Sequence, residues 1–165
     1  MKIVVQRVLQ ASVTANGRLT GEFGAPGGLV ALVGIGRGDD ATLLDWAANK
    51  LCQTRIFDED DGSRPWQVSL AQSKERSIML VSQFTLFAIN KGNKLDFHHA
   101  AKGDVAEPLF DELVRRVRAQ LAAVPGHTGT VCTGQFGADM KVALVNDGPV
   151  TVVFEREVAR DDEVV

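Results

Sequence analysis

The sequence predicts one compact α/β domain in which an antiparallel-rich β-sheet or barrel packs with two main helices. Three observations carry this reading. At 165 residues and 45% apolar content, the chain is sized for a single core that needs neither disulfide nor metal. Apolar residues recur at three-and-four spacing in two long stretches, the mark of amphipathic helices. Around and between them lie short β-branched runs bounded by turn residues, giving the order strands, helix, strand, helix, strands.

Each element has its own local signal. Ile3 to Ala15 is rich in β-branched residues. Asn16-Gly17 then supplies the positive-φ pair of a two-residue hairpin, and Leu19 to Phe23 returns. Leu29 to Ile35 is a continuous apolar run between glycines, which suits a strand covered on both faces at the centre of a sheet. Asp39 or Asp40 can cap a helix reaching about Arg55, with Leu44, Ala47, Ala48 and Leu51 on one stripe and Trp46 off it. Asp58 to Pro65 is a charged loop. Ser77 to Phe87 reads as a second buried strand. Asp104 and Glu107 have capping-box spacing at the head of a helix that runs through Phe110, Leu113, Val114, Val117, Leu121 and Val124 to the stop at Pro125-Gly126. Arg115, Arg116 and Arg118 mark its solvated face. Val142 to Val145 and Val150 to Phe154 read as a closing pair, with Asp147-Gly148 a strong turn signal between them. Pro149 complicates that turn, because proline cannot donate a ladder hydrogen bond at the start of a returning strand. The domain spans 1–156, and 157–165 is an acidic tail expected to fray.

Composition narrows the function classes. With 18 basic against 21 acidic residues the net charge is −3, so the surface is not built to coat nucleic acid by neutralising phosphates. Gripping only the end of an RNA remains compatible with that charge. Cys52 and Cys132 lie far apart and read as reduced thiols rather than a disulfide framework. No stretch approaches the roughly 20 consecutive apolar residues of a membrane span. The residues from Met1 to Val5 carry no secretory signal pattern. A soluble, cytoplasmic protein without membrane partners is expected.

No familiar catalytic engine is present: no HExxH pair, no GxSxG elbow, no Gly-rich phosphate loop. His98 and His99 are adjacent, with no cysteine near, and read as loop residues rather than metal ligands. No metal and no cofactor is expected. Two short segments remain. Ser82-Gln83-Phe84-Thr85-Leu86 puts hydroxyls and backbone amides at the end of an apolar strand, where they either face a cleft or satisfy neighbouring backbone groups. Asn146-Asp147-Gly148-Pro149-Val150-Thr151 holds the Gly-Pro step.

Together these segments resemble the two signature motifs of the D-aminoacyl-tRNA deacylases, the D-tyrosyl-tRNA deacylase family. The resemblance covers nearly the whole chain, from Gln6-Arg7-Val8 and Ala11 to Thr14, through Arg55-Ile56-Phe57 and Gly134 to Met140, to Val150-Thr151. The segment Lys91-Gly92-Asn93-Lys94 followed by Asp96-Phe97-His98 looks like the eukaryotic branch, and Phe84 favours the D-specific type. Leu95 stands where a proline is usual, and Arg64 to Gln67 departs from the family pattern.

The resemblance implies a homodimer that hydrolyses D-aminoacyl-tRNA, and mischarged glycyl-tRNA, without a cofactor. It implies a cis Gly148-Pro149 bond entering the partner subunit's pocket beside Ser82, Gln83, Phe84 and Thr85, with Asn146 and Thr151 completing that motif as substrate-binding residues. Phe136 and Met140 are candidates for a slot that takes the terminal adenine, or are ordinary core residues. Two mechanisms are open. Thr85 attacks as a nucleophile, or the RNA 2′-hydroxyl assists a water while amides near Phe84 and Thr85 hold the oxyanion. The lack of a base near Thr85 favours the second. A non-catalytic nucleic-acid-binding module of the same fold and a small-molecule esterase are the competing functions.

Overall fold

The computed structural model describes residues 1–59 and 61–158. The strands are β1 (Lys2–Ala15), β2 (Arg18–Phe23), β3 (Gly28–Gly34), β4 (Arg55–Phe57), β5 (Val68–Ser69), β6 (Ser77–Ser82), β7 (Ile89–Lys91), β8 (Lys94–Asp96), β9 (Val131–Thr133) and β10 (Met140–Glu155). The helices are α1 (Leu44–Gln53), the single turn α2 (Leu70–Ser73) and α3 (Gly103–Ala122). The two main helices of the sequence reading are α1 and α3. The acidic tail lies outside the described residues from position 159 onward.

One mixed sheet dominates, in the order β10-β1-β3-β6-β9, with β2 also on β1. The β1 ladders to β10, β2 and β3 are antiparallel, whereas β3–β6 and β6–β9 are parallel. The sheet nearly closes on itself. Edge strand β9 comes back against β2, where a Cβ added at Gly21 would stand 2.9 Å from that of Cys132 and the Cys132 thiol meets the Glu22 carbonyl at 3.5 Å.

Burial follows the alternation of the central strand. Leu29, Ala31 and Val33 of β3 face a large core under the helices, with Leu44, Ala47, Ala48 and Leu51 of α1 and Phe110, Leu113, Val117 and Leu121 of α3. Val30, one residue out of phase, faces a smaller core inside the curled sheet with Val8, Val13, Met79 and Val81. β3 is therefore covered on both faces, as its unbroken apolar run predicts. Cys52 is buried in the large core, and burial pushes its thiol up to about 12.

Three expectations need correction. The strand from Ser77 stops at Ser82, and residues Phe84–Phe87 form a 3₁₀ turn. The Gln83 N–H donates to the Val33 carbonyl at 2.8 Å, after which the chain folds over Gly34 and Gly36. A Cβ at Gly36 would lie 2.6 Å from the Phe87 ring, so that approach needs glycine. Next, the runs 142–145 and 150–154 are not a hairpin but parts of one strand, β10, paired to β1 on both sides of a shift in register. β1 is long enough to partner both runs, so the turn signal at Asp147-Gly148 becomes a bulge. Finally, the capping box at Asp104 and Glu107 does not form. Lys102 is the N-cap of α3 without a side-chain bond, and a capping box occurs instead between Ser69 and Gln72. Helix α1 is likewise preceded by a 3₁₀ turn at Ala41–Leu43, capped by Asp40, and ends at Gln53.

Candidate active site

The parallel strands β3 and β6 both end at one side of the sheet, and a crevice outside the carboxyl ends of parallel strands is where α/β folds place ligands. Here it is a cleft of about 440 Å³, within the usual range for small-ligand sites. Val33, Ile35 and Val81 give it apolar walls. Ser82, Gln83 and Phe84 lie along it where β6 passes into the 3₁₀ turn, and Ala101, Gly103 and Ala106 bring in the start of α3. Phe136 to Met140 and Val142 close the remaining side.

The turn presents backbone rather than acid–base groups. Phe84 and Thr85 open the 3₁₀ turn, whose N-cap Gln83 makes no side-chain capping bond. The first amides of such a turn have no partner within it. Thr85 is exposed and lies beside the cleft rather than in its lining, and its hydroxyl accepts a hydrogen bond from the Gln83 side-chain amide. Among the described residues, no histidine or carboxylate is hydrogen-bonded to Thr85, and no group of three or more His, Cys, Asp and Glu is placed to hold a metal ion. Phe84 is 57% exposed and meets Phe97 edge-to-face, with ring centroids 5.1 Å apart.

Phe136 and Met140 are both cleft-lining and half-buried. Phe136 packs 6.0 Å from the Phe110 ring at the margin of the large core, and Met140 lies over Gly134, where a Cβ would come within 2.3 Å of its sulfur. The two readings of these residues, slot and core, are thus both represented in their positions.

The second motif lies elsewhere on the chain. β1 and β10 are in register at Gln6 with Thr151 and at Val8 with Asn146, so residues 147–150 stand opposite Arg7 alone. This bulge carries Gly148 and Pro149 outward, both exposed, with a cis bond between them and Gly148 at φ +130°. Neither residue lines the cleft of its own chain. Asn146 and Thr151 flank the bulge, and Asn146 accepts a 3.1 Å bond from the Gln6 amide.

Arg7, a residue the sequence reading quoted without assigning a role, holds the bulge. Its side chain is only 11% exposed. It donates from Nε to the Asp147 carbonyl at 3.3 Å and from Nη1 to the Ile56 carbonyl at 3.0 Å, and it pairs with the Asp147 carboxylate at 3.1 Å. The small residues Ala101, Gly103 and Ala106 also went unread. The only signal for them was the small side chains around the start of α3, which also suit a helix start.

The fold and cleft define a small α/β protein with a ligand site built from backbone amides and apolar walls at the ends of parallel strands. A sequence model of the family described as "D-Tyr-tRNA(Tyr) deacylase" matches residues 4–155. Proteins named D-aminoacyl-tRNA deacylase from Dechloromonas aromatica and Chromobacterium violaceum are 42% and 45% identical, covering 96% and 92% of this chain and 99% and 95% of their own. One from Yarrowia lipolytica is 40% identical over 94% of this chain and 97% of its own. The chain therefore belongs to the D-aminoacyl-tRNA deacylase family, enzymes that hydrolyse a carboxylic ester. Among solved structures, "c-Myc DNA Unwinding Element Binding Protein" superposes with a TM-score of 0.82 at 35% identity, covering 96% of this chain and all of that one. A "probable eukaryotic D-amino acid tRNA deacylase" shares the fold, with a TM-score of 0.75 at 21% identity over 93% of this chain and 97% of that one.

Proposed function

We propose that the protein hydrolyses the ester bond of D-aminoacyl-tRNA, and of mischarged glycyl-tRNA, releasing the free amino acid and the tRNA. Family membership supports the substrate. The observation that carries the chemistry is the uncapped pair of amides at Phe84 and Thr85, beside a cleft with apolar walls. Donors fixed there suit the oxyanion that develops on the ester carbonyl. Among the described residues no base is bonded to Thr85, which already accepts a bond from Gln83, and this suits a positioning residue rather than a nucleophile. In this reading water attacks the carbonyl carbon, the bond to the ribose 3′ oxygen breaks, and the neighbouring 2′-hydroxyl assists the proton transfer. Phe136 and Met140 take the terminal adenine.

Chiral selection comes from exclusion. Gly148 and Pro149 are exposed and remote from their own cleft, so we assign them to the cleft of a partner subunit in a homodimer. There their carbonyls hold the substrate ammonium and leave no room for an L side chain. Glycine passes the filter because it has no side chain. The exposed Val145 and Val153 on the edge strand β10 support such pairing, since open apolar edges seek partners.

The test is deacylation of D-tyrosyl-tRNA and L-tyrosyl-tRNA by the purified protein with a chelator present. Rapid loss of the D ester alone is expected, and equal loss of both would overturn the chiral reading. Thr85→Ala retains substantial activity, whereas a 2′-deoxy terminal adenosine reacts poorly; complete loss of turnover in that variant would restore threonine as nucleophile. A second reading, a nucleic-acid-binding module, draws on the name of the 35%-identical structural relative. The net charge of −3 weighs against it.

A further inference from the structure

Charge is not spread evenly over this acidic chain. Residues 87–103 carry three lysines and two histidines against one aspartate, in a protein whose net charge is −3. The fold brings the end of this segment to the cleft, where Ala101 and Gly103 line it, while Phe87, Ala88, Ile89 and His99 line a second pocket. The β7–β8 hairpin ends at Asp96, and the next residue, Phe97, packs against the cleft residue Phe84. Lys102 stands between Ala101 and Gly103, both on the cleft wall. Arg37, two residues beyond the cleft residue Ile35, lines that second pocket, with its N–H bonded to the His99 carbonyl at 2.7 Å.

Arg37, Lys94 and Lys102 are three cations from two segments, each without an ion-pair partner among the described residues. Several of the nearby carboxylates are engaged. Asp96 is held by Lys91 and His98, and Asp39 by the Met1 ammonium and the Gly36 N–H. Glu155, paired with Lys2, and Glu157 line the same pocket as Arg37, and Asp139 on the cleft wall and Asp104 in the first turn of α3 are further acids nearby. On the far face of α3 the arrangement is the reverse, with Arg115 and Arg116 both bound to Glu112.

We propose that Arg37, Lys94 and Lys102 form a phosphate-binding rim that tracks the single-stranded RNA backbone leading to the nucleotide in the cleft. This rests on the RNA-ester reading above. It reconciles an acidic protein with a polyanionic substrate, because only the strand next to the reacting end is gripped.

The experiment is the salt dependence of binding of a single-stranded RNA oligonucleotide, and of KM for D-tyrosyl-tRNA, for the wild type, an Arg37→Ala/Lys94→Ala/Lys102→Ala variant and a distant Arg115→Ala control. Each phosphate contact on a single strand contributes about 0.7 to the slope of log affinity against log salt, so the triple variant should lose about 2 from it. That corresponds to roughly fivefold weaker binding per contact at 0.1 M salt. The control slope should be unchanged. D-tyrosyl-adenosine, which has no phosphate, should be hydrolysed equally by the triple variant and the wild type. An unchanged slope, or an equal loss in the Arg115 variant, overturns the rim. Failure of the wild type to hydrolyse D-tyrosyl-tRNA overturns the deacylase reading instead, and the oligonucleotide slope still decides the rim.

Discussion

The two signature segments are held in place by opposite means. The Ser82 turn sits at the end of a strand whose Met79 and Leu80 are fully buried, so the core fixes it from below. The Gly148 bulge stands on an exposed edge strand, held by one largely buried arginine and a shift of register. The cleft segment thus inherits the stability of the core, whereas the bulge depends on a few polar contacts. Substitutions should separate the two, with damage under the cleft appearing as lost stability and damage at the bulge as lost selectivity.

Leu80→Ala should have the largest effect on stability, about 2–5 kcal/mol in chemical denaturation, because it opens a cavity beneath the turn. A loss well under 1 kcal/mol would mean the turn does not rest on that core. Arg7→Ala should cost less, about 1–3 kcal/mol, since it leaves the Ile56 and Asp147 carbonyls without their donor. Its sharper signature is a lower ratio of D-ester to L-ester hydrolysis, and an unchanged ratio would break the comparison.

The smallest effect belongs to neither half. Glu112 is held at about 2 by hydrogen bonds from Arg115 and then Arg116, below its ordinary 4.5. A carboxyl depressed on folding contributes stability above its unfolded value and loses it as the pH falls through the folded one. Glu112→Gln should therefore flatten the acid limb of the stability profile between about pH 4.5 and 2, and only slightly, because the pair is exposed to solvent.

This contrast also accounts for what was legible in the sequence. The apolar run of β3 and the stripes of α1 and α3 read correctly because burial imposes a period on every residue it covers. The end of β6 did not, because nothing local distinguishes Phe84 to Phe87 from more strand. The stop is written in Gly34 and Gly36, some fifty residues earlier, which make room for Phe87. Asp147-Gly148 carried a true turn signal, but the long β1 supplied one partner for both flanking runs, and tertiary pairing turned the hairpin into a bulge. The signature residues were legible as motifs. Their division into two separate places on one chain was legible only through the family resemblance, since a motif by itself records residue types and not which surface they share.

That division supports the central claim, a site completed by two subunits, and subunit mixing tests it most directly. Ser82→Phe fills the cleft, and Gly148→Leu blocks the bulge. Each variant alone should fail to clear D-tyrosyl-tRNA selectively. Co-refolded in equal amounts, half the dimers pair one of each, and each of these has one intact cleft facing one intact bulge. The account predicts recovery of about a quarter of wild-type turnover. Mixtures no more active than the separate variants would contradict it and place the whole site within one chain.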